Sequence, residues 1–150
     1  MKTIDTTEYL DTLCEILKEN KAVTTVVQGG SMLPFLSPGR DYVILENFPR
    51  EPKKGDVVLY KRSNGDYVLH RIRKIKNDEF FLIGDRQTHT ERGIRRENLC
   101  ALVTEVKRNG KIIGEKSFIW FFYRRIWLAV VPLRSAILKL RNITKKTDSH

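Results

Sequence analysis

Cysteine is scarce in this chain, two in 150 residues, and the scarcity excludes two classes of small fold. Cys14 and Cys100 lie far apart and form no Cys-x-x-Cys or Cys/His cluster, so neither a zinc site nor a disulfide framework is indicated. Two reduced, buried thiols are expected, with a lone disulfide as the other arrangement. The chain also lacks an uninterrupted apolar stretch near its start. Residues 1–21 carry acids and bases throughout, which argues against a secretory signal and predicts that this end stays in the compartment where it is made. Internal repeats and low-complexity linkers are absent, so no solenoid or flexible array is expected. Acidic residues are outnumbered, 18 Asp and Glu against 28 Lys and Arg, and the net charge of +10 predicts attraction to anionic phospholipid, nucleic acid or acidic peptide without choosing among them. What is present suffices for one ordinary domain, since 41% hydrophobic residues can build a core without staples.

Asp5-Thr6-Thr7-Glu8 has the form of a capping box, and Tyr9, Leu10, Leu13, Ile16 and Leu17 recur at helical spacing, which predicts an amphipathic helix over roughly residues 6–20. Packing against a sheet is the expected use of its apolar face, with a lid or a docking surface as the other. From Ala22 the pattern changes to short β segments, at residues 23–28, 42–46, 56–61, 67–75, 80–83 and 102–107. Ser37-Pro38-Gly39, Pro52-Lys53-Lys54-Gly55, Ser63-Asn64-Gly65-Asp66 and Arg108-Asn109-Gly110-Lys111 separate them, and Asn-Gly is a strong hairpin signal. No long helix intervenes, so the fold class is mainly β, an antiparallel barrel or sandwich rather than a βαβ fold.

One stretch stands out chemically. In Gly29-Gly30-Ser31-Met32-Leu33-Pro34-Phe35-Leu36, two glycines permit backbone conformations and close approaches that a β-carbon blocks, and Pro34 fixes the exit path. Ser31 is thereby held at a bend among bare N–H groups, as an acyl-transfer nucleophile requires, and its own N–H is the first oxyanion donor. A β-turn in which Ser31 only hydrogen-bonds its own loop is the plainer reading. Downstream, His70 sits in a strand and shares its face with Val68 and Ile72, where a histidine is ordinarily a satisfied core residue. Imidazole, with an ordinary pKa near 6.5, is also the side chain suited to take the proton of a serine hydroxyl, so kcat/KM is expected to rise through that region.

The order of the blocks resembles a family. A Ser-Met-x-Pro turn ending in Leu36, then Pro38-Gly39-Arg40-Asp41 opening a strand, then Lys53-Lys54-Gly55-Asp56-Val57-Val58, then a strand bearing the base, then Gly84-Asp85, is similar to the signal peptidase I superfamily of serine endopeptidases, over about residues 27–106. In the bacterial signal peptidases and the related self-cleaving repressors the base position is lysine. His70 here resembles the endoplasmic-reticulum and archaeal branch, with a serine–histidine pair. The resemblance implies an all-β catalytic fold, cleavage after small residues, and no metal or cofactor. It implies further that an acid late in the block Gly84-Asp85-Arg86-Gln87-Thr88-His89-Thr90-Glu91-Arg92-Gly93 orients the base. That acid falls on Glu91 where the family has aspartate, so Asp85 and Glu91 both stand as candidates to accept the imidazole N–H. Their plainer readings are an Asx-turn for Asp85 and a surface ion pair with Arg92 or Arg95 for Glu91. His89 reads as solvated or substrate-facing. Some members place a second oxyanion donor, a serine hydroxyl, two positions before the nucleophile. Gly29 holds that position here, so a backbone N–H takes its place. Met32 matches the motif's methionine and suits either packing under a substrate strand or filling core.

The chain after residue 116 differs in kind. The run from Phe118 to Pro132 is nearly all apolar and aromatic but contains Arg124-Arg125, each costing roughly 2.5–3.5 kcal/mol at a bilayer centre. A span is therefore disfavoured. An interfacial helix is expected, with Arg124, Arg125, Lys139 and Arg141 on one side and the aromatic face opposite; a cover for the barrel is the other reading. Pro132 is expected to kink or divide it, and residues 145–150 to form a loose tail. The expected organisation is thus a catalytic domain with its N-terminal helix over residues 1–116 and a membrane-interface segment over 117–150. Three functions are consistent with these features: a membrane-associated serine endopeptidase removing leader or signal segments, preferred here and placed on the cytoplasmic side; a self-cleaving regulator; and a non-catalytic binding module. The expected partners are a peptide or protein substrate with small residues before the scissile bond, and an anionic membrane. No specific nucleic acid is expected.

Overall fold

Alternation of apolar and polar residues from Val23 onward builds one curled antiparallel sheet. In the computed structural model, which describes residues 6–134, 136 and 140, α1 (Thr6–Lys18) is followed by β1 (Val23–Val26), β2 (Asp41–Glu46), β3 (Val57–Lys61), β4 (Tyr67–Lys76), β5 (Glu79–Ile83), β6 (Glu91–Arg95), β7 (Leu99–Arg108) and β8 (Lys111–Gly114). The strands lie in the order β1-β2-β7-β3-β4-β5-β6, with β8 added along β7. Asp5 of the capping box, Lys139 and Arg141 of the expected interfacial face, and the tail 145–150 fall outside the described residues.

Turn chemistry sets the register. Asn109 and Gly110, with φ of 51° and 76°, close the β7–β8 hairpin so that Arg108 faces Lys111. Asn77 and Asp78, at φ 52° and 63°, do the same between β4 and β5, a turn without the Asn-Gly signature that was not marked in sequence. Nor was β6 expected, because Glu91-Arg92-Gly93-Ile94-Arg95 offers a single apolar residue and is a strand only by pairing with β5.

The two faces of the sheet bury different cores. Leu13 and Leu17 of α1 enter the first with Val43, Leu45, Val57, Leu59, Val103 and Val106, so the helix packs on the sheet. Cys14 and Cys100, both free and half-buried, lie at its margin, and Cys100 Sγ donates to the Asn98 carbonyl at 3.9 Å. The second core gathers Val58, Tyr60, Ile72, Phe80, Leu82, Ile94 and Leu99. For residues of β3 and β6 to meet there, the sheet must curl until these non-adjacent strands face each other.

The chain beyond β8 corrects the expected arrangement of the basic aromatic segment. Ser117 caps α2 (Phe118–Phe121), which runs into a π-helical turn, Phe122–Trp127. Trp120, 1% exposed, belongs to the first core and meets Phe35 edge-on at 5.4 Å. Leu128 and Val131 form a third cluster with Ile83. Arg124 does not face outward with Arg125: its Nη2 donates to Asp56 Oδ1 at 2.8 Å, because the buried Asp56 carboxylate requires cations and Arg50 supplies only one. Gly55 admits this arginine, since a β-carbon there would lie 2.5 Å from Arg124 Cγ. The helix breaks at Val130, two residues before Pro132. The described part of the segment thus covers the sheet with one face, while Phe118, Phe121, Ile126 and Leu133 stay exposed on the other. None of the helices among the described residues is long and apolar enough to cross a membrane.

Candidate active site

Ser31 lies in the turn after β1, and the loop after β5 clamps it from behind. Gly29 takes φ +73°, which a side chain would strain, whereas Gly30 needs no special φ but is crowded by Leu33 Cδ1, 3.3 Å from where a β-carbon would be. Arg86 N–H donates to the Ser31 carbonyl at 3.0 Å. A β-carbon on Gly84 would come within 2.5 Å of that same carbonyl, which explains the glycine of the Gly84-Asp85 pair: it lets this loop press on the nucleophile's backbone. The Ser31 N–H bonds to no described residue and remains available as an oxyanion donor. Met32 is buried in the first core and also lines a cavity of about 120 Å³ beside Ser31, so it serves both as core and as wall.

His70 approaches from β4, where it pairs with Val58 of β3 and is 2% exposed. Its Nε2 lies 3.2 Å from Ser31 Oγ. Burial pushes the imidazole down to about 4, against a smaller opposing pull from Glu91, so the ring is neutral through the physiological range and free to act as a base. On the far side of the ring, Tyr60 Oη is 3.1 Å from His70 Nδ1 and donates to Glu91 Oε2 at 2.6 Å. Tyr60 comes from β3, diagonal to His70 on the same sheet face, and Glu91 opens β6, which the curl brings opposite. Arg62 Nε and Nη2 donate to the two Glu91 oxygens, each at 3.0 Å. Burial alone would raise the Glu91 pKa, but hydrogen bonds from Arg62 and Tyr60 outweigh it and hold the carboxyl below its usual range.

The two candidate acids therefore separate. Asp85 is fully buried, and both its oxygens accept from Arg71, Nε to Oδ1 and Nη2 to Oδ2 at 2.8 Å each, while no hydrogen bond joins it to His70. Arg71 also donates to the Gly55 carbonyl and lies 5.0 Å from the Phe35 ring, and Trp127 Nε1 donates to the Asp85 carbonyl. Asp85 is a structural tie beneath the serine. Glu91 stands on the histidine side, though it reaches the ring only through Tyr60 and pairs with Arg62 rather than with Arg92 or Arg95. His89 is exposed and lines an open cavity of about 320 Å³ with Arg62, Arg86 and Gln87. Sequence reading missed Tyr60, Arg62 and Arg71. Tyr60 had a signal, as a tyrosine on the strand paired with that of His70, but register alone reveals that pairing.

Among the described residues no group of three or more His, Cys, Asp or Glu side chains is arranged to hold a metal ion. The arrangement is a serine hydroxyl, a neutral buried imidazole and a supported carboxylate, the parts of nucleophilic acyl transfer. Residues 1–113 match a family model described as Peptidase S24-like. No curated protein matches the chain.

Proposed function

The chain belongs to the Peptidase S24-like family, and we propose that it is a serine endopeptidase cleaving leader or signal segments of peptide or protein substrates by a Ser31–His70 pair. The observation that carries the proposal is the 3.2 Å contact between Ser31 Oγ and His70 Nε2. His70 accepts the hydroxyl proton as Oγ attacks the scissile carbonyl, the Ser31 N–H meets the oxyanion, and the imidazolium returns the proton to the leaving amine. The acyl side of the substrate lies in the cavity of about 120 Å³ lined by Thr25, Val27, Met32, Leu45 and Leu69. So small and apolar a space suits a small residue before the bond. β1 borders this cavity and pairs only with β2 among the described strands, which leaves its other edge to bind an extended peptide by main-chain hydrogen bonds. Incubating the protein with a peptide library and mapping the cut bonds tests the reading. Cleavage after small residues is expected, and a library left intact would overturn it. A self-cleaving regulator, the second reading, is favoured by the S24-like match itself; it predicts shortening of the chain at a rate independent of protein concentration.

The pH profile gives a second check. Sequence alone places the rising limb of kcat/KM near 6.5, whereas burial of His70 moves it to about 4 and makes the rate flat from about pH 5 to 8. The unfolded chain takes up this proton near 6.5 and the folded chain near 4, so the stability linked to neutral His70 is complete above 6.5 and is lost as pH falls toward 4. A limb at 7 or above would assign the base to another group.

For location, we propose peripheral attachment to an anionic membrane on its cytoplasmic side, through the outer face of the segment from residue 118. Phe118, 75% exposed, and Phe121, 51% exposed, support it, with Ile126, Leu133 and the exposed Arg125 alongside. The protein is expected to sediment with vesicles containing phosphatidylserine, less so at high salt, and less again as Phe118→Ser/Phe121→Ser. Equal binding by that variant would refute the assigned face.

A further inference from the structure

The groups behind His70 form a one-way chain of hydrogen bonds. Arg62 donates to both oxygens of Glu91 and holds it as a carboxylate, which can only accept. Tyr60 has a single hydroxyl proton and, fully buried, directs it to Glu91 Oε2 at 2.6 Å. Only lone pairs of Tyr60 Oη are left to face His70 Nδ1 at 3.1 Å, so Nδ1 must carry the proton and donate it. A neutral imidazole has one N–H, so Nε2 is bare and accepts from Ser31 Oγ at 3.2 Å. Reversing any link forces a second proton onto Glu91 or leaves two donors or two acceptors facing each other in a buried site.

Resting on the Ser31–His70 reading, we infer that Tyr60 is a positioning residue: with Glu91 and Arg62 behind it, its hydroxyl fixes His70 in the Nδ1–H tautomer that presents a free Nε2 lone pair to the nucleophile. Here a phenol stands between acid and imidazole. The carboxylate sets the direction of the Tyr60 hydroxyl and so acts on the ring without touching it. Burial, and then the hydrogen bond to Glu91, raise the phenol well above its usual range, so Tyr60 keeps its proton and relays polarity. When Nε2 takes the Ser31 proton, the new imidazolium faces an oxygen whose own O–H is already polarised toward a carboxylate. The positive charge is stabilised with no proton passing to Tyr60.

The test uses the full chain, its Tyr60→Phe and Glu91→Gln variants, and nitrogen-15 spectra of the imidazoles near pH 7.5, with the His70 signal identified by its loss in His70→Asn. In the wild type, His70 is expected to be protonated on Nδ1 alone, the minor form of free histidine. Tyr60→Phe removes the acceptor, so the signals should move toward the Nε2–H form, and kcat should fall ~10²-fold or more with KM nearly unchanged, as expected for a wrong tautomer. Glu91→Gln keeps the shape but lets the Tyr60 hydroxyl turn; it should mix the tautomers and lower kcat by a smaller factor. Circular dichroism establishes that each variant is folded, and the wild-type spectrum needs no variant to fold. A wild-type His70 with its proton on Nε2, or a folded Tyr60→Phe retaining kcat within about twofold, overturns the inference. Cleavage that does not depend on Ser31 overturns instead the reading beneath it.

Discussion

Replacing Ser31 or His70 by alanine is expected to lower kcat/KM by ~10⁴-fold or more, and the double variant to be little worse than either single one. Without Oγ there is no nucleophile, and without the imidazole the hydroxyl has no base within reach, since Nε2 is 3.2 Å away and Arg71 occupies both oxygens of the other nearby acid, Asp85. Either loss removes the same step. Ser31 is partly exposed in a loop, so its substitution should leave the unfolding transition in place. His70→Ala opens a cavity against Tyr60 and costs some stability, which circular dichroism separates from lost chemistry. His70→Lys is the sharper probe, because lysine keeps one basic nitrogen but cannot span the site as the imidazole does, with Nε2 on Ser31 Oγ and Nδ1 on Tyr60 Oη; it is expected to fail. Activity within tenfold of the wild type in folded Ser31→Ala would show that the acyl-transfer assignment is wrong.

Removing residues 117–150 is expected to abolish cooperative unfolding. Read from sequence, the segment is an interfacial helix or a cover for the barrel, and only in the first case does its loss leave the β domain able to cut a soluble peptide. In the structure it is a cover. Trp120 fills the first core, Leu128 and Val131 close over Ile83, and Arg134 donates to the carbonyls of Gly84 and Gln87 in the loop that clamps Ser31. Trp120→Ala alone should cost about 3–5 kcal/mol. Deletion adds the loss of Arg124 from the buried Asp56, and unpairing a buried charge costs ~3–5 kcal/mol when no partner is left. Because Arg50 remains on Asp56, that part should be smaller, yet the sum still rivals the ~5–15 kcal/mol that holds a domain together. Thermal or urea unfolding of residues 1–116 decides it. A sharp transition within about 1 kcal/mol of the full chain would show that the segment contributes little.

How much of this was legible beforehand differed by type of feature. Hairpins with Asn-Gly turns, alternating strands and the face of α1 were readable because they depend on neighbours in sequence: the φ > 0 that Asn109 and Gly110 supply, or the spacing that puts Leu13 and Leu17 on one side. The shape of the Ser31 turn was readable for the same reason, in its glycines and Pro34, and so was the face on which His70 stands. β6 was not, since its strand character comes from β5 rather than from its own residues.

Sequence by itself determined that a serine turn and a strand histidine exist on a mainly β scaffold, with two acids, Asp85 and Glu91, in the block that follows. Only the tertiary structure gave those two acids, Asp85 and Glu91, different partners, because both are carboxylates six positions apart and neither side chain by itself selects its neighbours. Arg71, projecting from β4, captures Asp85, while the curl of the sheet carries Glu91 across to Tyr60 and Arg62. The same holds for Arg124, which has the charge to meet a lipid headgroup or a buried aspartate. A side chain's chemistry is local and travels with the sequence, but its partner is set by long-range packing, and Asp56 lies 68 residues away along the chain.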